Sequence, residues 1–311
     1  AQPGWITTLS LTRDGKRAAV GVGPVVRGQA YAASTATIVD LQNGSKEQTQ
    51  ALSSGQTVRV RLDAEGTLLA ASSSSGELYV VDLKKGKSRK LIAGSESDDP
   101  QRHSKTVRCI AISRDGKTLA TGAWDGTIKL WDMDTTRQTI QATVRKTIDA
   151  RGVVSCLALA PDGKTLAWGT GGVLEFPQPG GLQLYDLQAD KLRVSLPTKP
   201  AGITALAYSP DGASLAVTTD HLRRGLGESE LWIIDVARGR LREIAYRGRF
   251  HSSSLAYSRD GSKIAFERTP EVVLFDRNTG QSTMLQGHTE SINGISFTRD
   301  GKTLVTVSRD G

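Results

Sequence analysis

Short apolar segments of alternating pattern recur along the whole chain, and each is followed by a turn sequence, usually Asp-Gly. In the third copy, Cys109-Ile110-Ala111-Ile112 suits a β-strand, and Asp115-Gly116 then suits the tight turn of a β-hairpin. The aspartate accepts local backbone hydrogen bonds, and the glycine adopts the positive φ angle that the turn requires. Seven copies align on their turn glycines, which are Gly15, Gly66, Gly116, Gly163, Gly212, Gly261 and Gly301.

A third strand ending in aspartate follows each of the first six hairpins, as in Leu130-Trp131-Asp132. A further β-rich piece, for example 87–92 or 240–245, completes a unit of four strands. One such sheet cannot cover both of its apolar faces, so the units are expected to stack face to face around a ring. The pattern predicts an all-β chain in which residues 1–311 form a single β-propeller domain. This domain would contain six four-stranded blades and the first two strands of a seventh.

The third copy carries the fullest set of motif residues, namely His103, Trp124-Asp125-Gly126 and Leu130-Trp131-Asp132. These residues resemble the WD40 repeat family, whose usual fold is a seven-bladed propeller. In that family a histidine, a serine or threonine, an aspartate and a tryptophan form a hydrogen-bonded chain inside each blade. The resemblance assigns His103, Asp125 and Trp131 to this chain, with Ala123 in place of the hydroxyl.

The seventh copy resembles the family through Gly287-His288 and the later residues Ser308 and Asp310. The resemblance assigns His288, Ser308 and Asp310 to the histidine, the hydroxyl and the aspartate of the chain. Only two strands of this copy are present, so the seventh blade is predicted to be incomplete. We expect its remaining strands to come from residues after Gly311 or from another chain. The resemblance thus implies a WD40 domain of bacterial type within a larger protein.

The net charge of +8 is spread along the chain rather than gathered in a tail. Acidic residues are interleaved with the basic ones and exposed aromatics at regular spacing are absent, which disfavours a nucleic-acid partner. No apolar run approaches the roughly 20 residues needed to cross a bilayer, so no membrane association is expected. Cys109 and Cys156 lie in apolar segments and are predicted to be buried free thiols, which favours a cytoplasmic location.

The four histidines form no catalytic pattern, since the sequence contains no HExxH, no paired CxxC and no GxSxG near them. We therefore predict no metal ion, no cofactor and no enzymatic activity. The function expected is a protein-protein interaction scaffold or a regulatory module. The alternative is a propeller enzyme of lactonase or hydrolase type, with its site at the central channel.

The candidate partner site lies in the loops, because specificity on a repeated scaffold comes from departures from the repeat. The insertions at 23–36, 171–180 and 220–230 are predicted to share one face. Two neighbouring loops bring the residues Arg223, Arg224, Arg247, Arg249 and Phe250. They suit an acidic or phosphorylated peptide, through forked hydrogen bonds and stacking, or simply a solvated surface. Trp124 and Arg309 precede the turn aspartates, where WD40 proteins often contact ligands, although Trp124 suits packing between blades equally well.

Overall fold

The computed structural model describes residues 6–23, 26–27, 30–31, 34–51, 57–74, 76–92, 103–137, 140–171, 180–198, 202–220 and 228–310. Over these ranges the chain is all-β, with no helix. The strands form six four-stranded sheets, one two-stranded sheet and one short separate hairpin. The prediction of an all-β propeller is confirmed. The structure contains six complete blades rather than seven.

The sheets follow one another along the chain. The first contains β1 (Ile6–Leu11), β2 (Arg17–Val22), β5 (Thr35–Asp40) and β6 (Lys46–Ala51). Between β2 and β5 the chain forms the separate hairpin of β3 (Val26–Arg27) and β4 (Ala30–Tyr31). The second contains β7 (Thr57–Leu62), β8 (Leu68–Ser73), β9 (Leu78–Asp82) and β10 (Lys87–Ile92). The third contains β11 (Val107–Ile112), β12 (Thr118–Ala123), β13 (Thr127–Asp134) and β14 (Gln141–Asp149).

The remaining sheets repeat this antiparallel order. The fourth contains β15 (Val154–Leu159), β16 (Thr165–Thr170), β17 (Gly181–Asp186) and β18 (Lys191–Pro197). The fifth contains β19 (Gly202–Tyr208), β20 (Ser214–Asp220), β21 (Ser229–Asp235) and β22 (Arg240–Gly248). The sixth contains β23 (Leu255–Tyr257), β24 (Lys263–Arg268), β25 (Glu271–Asp276) and β26 (Ser282–Leu285). The last sheet contains β27 (Ile292–Phe297) and β28 (Leu304–Ser308).

The hairpin turns form as the sequence predicts. In the third sheet Gly116 has a φ of 70°, and the Ser113 hydroxyl donates to the Asp115 carboxylate at 2.6 Å. The backbone N–H of Lys117 donates to the same carboxylate at 3.0 Å. These two hydrogen bonds lower the pKa of Asp115, the one from Ser113 more strongly. The same hydroxyl-to-aspartate bond recurs in four other turns, at Asp14, Asp211, Asp260 and Asp300.

The core consists of seven apolar clusters, each between two neighbouring sheets. Trp131 of the third sheet, for example, packs with Leu68 and Leu78 of the second. Trp168 of the fourth sheet packs with Leu130 of the third. Each blade therefore covers its faces with its neighbours, as expected for units that cannot bury both faces alone.

The last sheet lies between the sixth sheet and the first and closes the ring. Strand β27 contacts both β23 and β1, and the Asn293 side-chain amide donates to the backbone oxygen of Ile6 at 2.7 Å. The apolar cluster at this seam is small, with Leu9, Ala18 and Val307 as its buried members. Among the described strands, β28 pairs with β27 only, so one of its edges has no strand beside it.

Candidate functional site

The antiparallel order of each blade divides its connections between two ends of the ring. The turns after the first and third strands lie at one end, which we call the turn end. The connections between the second and third strands, and those between blades, lie at the other, which we call the loop end. Trp124 illustrates this second group, because its backbone N–H donates at 3.1 Å to the oxygen of Thr106 in the preceding connection between blades. The loop end is where sequence variation can change a surface without changing the blades.

The third blade contains a continuous hydrogen-bonded chain that ends at this surface. The Trp131 indole N–H donates to the Thr121 hydroxyl at 2.9 Å, and Thr121 lies 2.8 Å from His103 Nε2. His103 Nδ1 lies 3.2 Å from the Asp125 carboxylate. The Thr121 hydroxyl can accept the indole hydrogen and donate its own to Nε2, while Nδ1 faces Asp125 and the Thr127 hydroxyl, 3.0 Å away. His103 is 3% exposed, so the chain connects the blade interior to the loop end.

The hydroxyl of this chain was wrongly assigned from the sequence. Thr121 supplies it, and Ala123 does not stand in its place. Residues 121 and 123 lie on the same face of β12 because side chains alternate along a strand. Only the depth of the histidine ring in the blade distinguishes them, and this depth is not visible in the sequence.

Asp125 fixes the loops around this chain. It accepts hydrogen bonds from the backbone N–H groups of Ser104 at 2.8 Å and Thr127 at 2.9 Å, and from the Thr127 hydroxyl at 2.7 Å. Burial opposes ionisation of Asp125, but the hydrogen bonds from His103 and Thr127 outweigh it and lower its pKa to about 2. The carboxylate therefore ties the connection between blades to the turn that carries Trp124.

The last sheet repeats part of this arrangement. His288 Nδ1 lies 3.1 Å from the Asp310 carboxylate, and His288 Nε2 lies 2.8 Å from the Thr306 hydroxyl. The backbone N–H of Thr289 donates to Asp310 at 2.8 Å, and this bond is the main cause of the lowered pKa of Asp310. The hydroxyl beside His288 is that of Thr306 rather than that of Ser308. Ser308 lies at the other end of this hydrogen-bonded chain, where it accepts the Asp310 backbone N–H at 3.3 Å and its side chain helps to lower the pKa of Asp310.

Comparisons with known proteins agree with this geometry. The family described as "WD domain, G-beta repeat" matches residues 90–132 and 280–311, the two segments that contain the histidine-to-aspartate chains. Ribosome biogenesis protein BOP1 of Mus musculus is 44% identical over 52 residues, which are 17% of this chain and 6% of that protein. A chain in the crystal structure of the mitotic checkpoint complex aligns with a TM-score of 0.75 and 17% identity. The alignment covers 99% of this chain and 87% of that one, and at this identity it shows the fold.

Two segments of the chain match the WD40 repeat, and the chain as a whole has a β-propeller fold. The resemblance seen in the third and seventh copies is thereby confirmed. The segment matched to the mouse protein is a small part of that protein's length, so the name of that relative describes a larger molecule than the one aligned here.

Trp124 lies at the loop end of this propeller beside a cavity of about 250 Å³. The cavity lies between the second and third blades, with Gly76 on one side and His103 and Lys105 on the other. The Arg108 guanidinium carbon lies 5.3 Å from the centre of the Trp124 ring, within the range of a cation–π contact. Trp124 is half-buried, and its buried indole N–H has no acceptor in the described part of the chain.

The predicted arginine cluster is only partly visible. Arg223 and Arg224 lie outside the described residues. Arg247 is exposed and its Nε donates to Glu230 at 2.9 Å, so its charge is already paired. Arg249 is exposed at the loop end. Arg309 is exposed there too, in the turn that corresponds to that of Trp124.

Phe250 does not belong to a partner surface. It is 3% exposed, and its ring lies 5.0 Å from that of Phe266 and 5.8 Å from that of Tyr246. It packs in the cluster between the fifth and sixth blades. The prediction placed Phe250 in an exposed loop, because no hydrophobic periodicity marks the point where that loop enters the core.

Two polar contacts of the propeller were not predicted. His251 Nδ1 lies 3.0 Å from the carboxylate of Asp220, which is 3% exposed. In the sixth blade Ser253 donates to Glu267 through its backbone N–H at 2.9 Å and its hydroxyl at 3.0 Å. Glu267 comes from β24, so these hydrogen bonds tie β24 to the connection between the fifth and sixth blades. No motif spacing in the sequence would have found them.

No three His, Cys, Asp or Glu side chains of the described ranges lie close enough together to hold a metal ion. No helix long and apolar enough to cross a membrane is found there. Cys109 is a buried free thiol, as predicted, whereas Cys156 is half-buried.

Proposed function

We propose that this WD40 domain is a protein-interaction scaffold whose partner binds at the loop end. The observation that carries this proposal is Trp124, a half-buried aromatic beside a cavity, with an unpaired indole N–H among the described residues. Trp and Arg are the residue types that most often dominate binding energy at protein interfaces. Asp125 and the backbone bond to Thr106 hold Trp124 in place before any partner arrives, which lowers the entropic cost of binding.

The partner proposed is a protein or peptide with acidic or phosphorylated side chains. Arg249 and Arg309 are exposed at the same end as Trp124, and the chain carries a net charge of +8. Arg223 and Arg224 remain part of the proposal, since they lie between β20 and β21 in the sequence. Arg247 contributes less, because Glu230 already neutralises it. Phe250 is excluded by its burial.

An array of defined peptides tests this proposal. Acidic, phosphorylated, neutral and basic peptides are probed with the parent protein, with Trp124→Ala, and with the double variant Arg249→Glu and Arg309→Glu. We expect acidic or phosphorylated peptides to bind the parent, and both changes to weaken that binding roughly tenfold or more.

The matched control reverses charge at the turn end. Arg259 and Arg299 are exposed in the hairpin turns of the same two blades, so Arg259→Glu with Arg299→Glu changes the net charge by the same amount. Equal losses in the two double variants would show attraction to net charge rather than a site at the loop end. Binding that is unaffected by Trp124→Ala would contradict the role of Trp124.

We propose no enzymatic activity for this domain. The matched family is defined by a structural repeat, and the central channel is lined by Arg59 and Arg61. Two positive charges oppose the metal ion that the alternative, a lactonase or hydrolase, would need there. Metal analysis of the purified protein with a lactone hydrolysis assay would detect that alternative.

We further propose that β27 and β28 are the first half of a seventh blade in a single domain. Strand β28 has one edge without a strand in the described residues, and a groove of about 770 Å³ between Leu41 and Val305 lies beside it. An unpaired edge of this kind accepts a further strand, which would come from residues after Gly311 or from another chain. We expect a chain lengthened by a third and a fourth WD40-like strand to be more stable and less prone to associate than residues 1–311. Equal free energies of unfolding for the two chains, with a monomeric mass for the shorter one, would contradict this.

The cytoplasm is the location we propose, because both cysteines are free. We also propose that the chain is a bacterial-type domain of a larger protein. Imaging of the tagged protein in its own cell tests the location, and secretion would contradict it.

A further inference from the structure

The innermost strands of all seven sheets surround a cavity of about 80 Å³ at the centre of the ring. One strand differs from the others in two side chains, both of which line this cavity. Seven residues before each turn glycine, six copies carry a small or short side chain, namely Thr8, Cys109, Cys156, Ala205, Ser254 and Gly294. The second copy carries Arg59.

The same exception occurs two residues further along. Five residues before each turn glycine, six copies carry alanine or serine, namely Ser10, Ala111, Ala158, Ala207, Ala256 and Ser296. The second copy carries Arg61. Residues two apart in a strand share a face, so both guanidinium groups leave β7 in the same direction, and both line the cavity.

Burying the two arginine charges costs folding free energy unless negative charge is close to them. Burial lowers the pKa of both guanidinium groups, and the positive charge of Arg61 lowers that of Arg59 further. The Arg61 Nη1 donates to the backbone oxygens of Leu9 at 3.4 Å and Val60 at 3.2 Å, which are neutral acceptors. The described residues that line the cavity include no aspartate or glutamate.

Glu267 is the carboxylate that attracts Arg59 from the sixth blade. Its oxygens already accept hydrogen bonds from Ser253 and from the Thr269 hydroxyl at 2.7 Å, and it does not line the cavity. Two cationic side chains thus line a cavity whose described lining includes no carboxylate.

Two hydroxyls of the lining add hydrogen-bond donors. Ser254 accepts the backbone N–H of Ile295 at 2.9 Å, and Thr8 accepts that of Val60 at 3.5 Å. A hydroxyl that accepts a backbone hydrogen still has its own hydrogen to donate. The cavity thus combines two guanidinium groups with two hydroxyl donors.

We propose that the central cavity binds a tetrahedral oxyanion between Arg59 and Arg61, either free phosphate or the phosphate group of a peptide. Guanidinium groups bind such oxygens through paired, charge-assisted hydrogen bonds. The cavity exceeds several-fold the roughly 10–15 Å³ that one water molecule requires, which leaves room for an ion of this size. This site is separate from the proposed peptide surface around Trp124, so either proposal can fail alone.

Calorimetric titration of the full chain with inorganic phosphate tests the proposal. We expect saturable binding at one site, and a loss of affinity of roughly tenfold or more in Arg59→Met and in Arg61→Met, which keep an unbranched, shorter side chain and remove its charge. Arg299→Met is the matched control, because Arg299 is exposed at the turn end, and its affinity should equal that of the parent. A phosphoserine peptide is the second probe. Tighter binding of this peptide than of phosphate, lost in Arg59→Met, identifies a peptide phosphate as the source.

Two measurements on the parent protein keep the test decisive if the arginine variants do not fold. The melting temperature should rise with the logarithm of phosphate concentration relative to chloride at equal ionic strength. Crystals soaked in tungstate should show an anomalous scattering peak between Arg59 and Arg61. Equal melting in the two salts with no peak in the cavity overturns the proposal, as does phosphate affinity that both arginine variants retain.

Discussion

The third blade and the last sheet contain the same three polar residues in different surroundings. In the third blade His103, Thr121 and Asp125 lie beneath a third strand that brings Trp131. In the last sheet the described strands end with the second one. Yet His288 lies as close to its hydroxyl as His103 does, at 2.8 Å in both cases.

The difference lies in burial. The side chain of His103 is 0% exposed and that of His288 is 26% exposed, and the aspartates are 7% and 18% exposed. The histidine-to-hydroxyl geometry therefore depends on the first two strands and the loop end alone. The third strand adds the indole donor and excludes water, and hydrogen bonds contribute more where a lost partner cannot be replaced by water.

Replacing Trp131 with alanine should give the largest effect on this comparison. Trp131 is 2% exposed and packs against the second blade, so we expect Trp131→Ala to lower the free energy of unfolding by about 3–5 kcal/mol. Denaturant unfolding measures this. Trp124→Ala is the control, since Trp124 is half-buried and should cost less. Similar losses of unfolding free energy in Trp131→Ala and Trp124→Ala would contradict the stabilising role of the third strand in the third blade.

Replacing the two hydroxyls with isosteric groups compares the chains directly. Thr121→Val leaves the buried His103 nitrogen and the Trp131 indole without a partner, and should cost about 1–3 kcal/mol of unfolding free energy. Thr306→Val should cost less than about 1 kcal/mol, because water can reach the partly exposed His288. Denaturant unfolding of both variants gives the two values. A larger loss for Thr306→Val would overturn the explanation from burial.

The acid dependence of stability should reflect the low pKa of Asp125. Its pKa of about 2 lies below the usual value of 3.8, so the ionised form stabilises the folded state above about pH 4. This contribution should be lost as the pH falls from about 4 to about 2. Asp125→Asn removes the titration. The difference in unfolding free energy between the parent and Asp125→Asn should therefore shrink over that interval. A difference that stays constant with pH would contradict the shifted pKa.

Replacing Ser308 with alanine should have the smallest effect. Its oxygen accepts a long backbone hydrogen bond from Asp310, and its side chain is the smallest of the causes that lower the pKa of Asp310, so Ser308→Ala should change the unfolding free energy by less than about 0.5 kcal/mol. Thermal melting beside Thr306→Val measures the difference. A greater loss in Ser308→Ala would restore Ser308 as the hydroxyl of the chain.

The sequence was sufficient for the hairpins, since a turn glycine and its aspartate act over a few residues, as at Asp115 and Gly116. It was also sufficient for His103, Asp125 and Trp131, whose positions the family motif defines. It was insufficient for Thr121 and Phe250, which depend on how deeply a side chain lies within a blade. The hairpin of β3 and β4 was also missed, because strands of two residues leave no periodic pattern.

The hydrogen bond from Asn293 to Ile6 joins residues 287 positions apart, whereas the other blade interfaces join neighbours in the sequence. Contacts between distant residues form slowly in folding, because a long loop must close before the contact gains any energy. The six local interfaces can form in chain order, and the seam can form last. Because its cluster is small, the seam is also where partial opening costs least. Backbone amides of β1 and β27 should therefore exchange hydrogen with solvent sooner than those of β11 and β15.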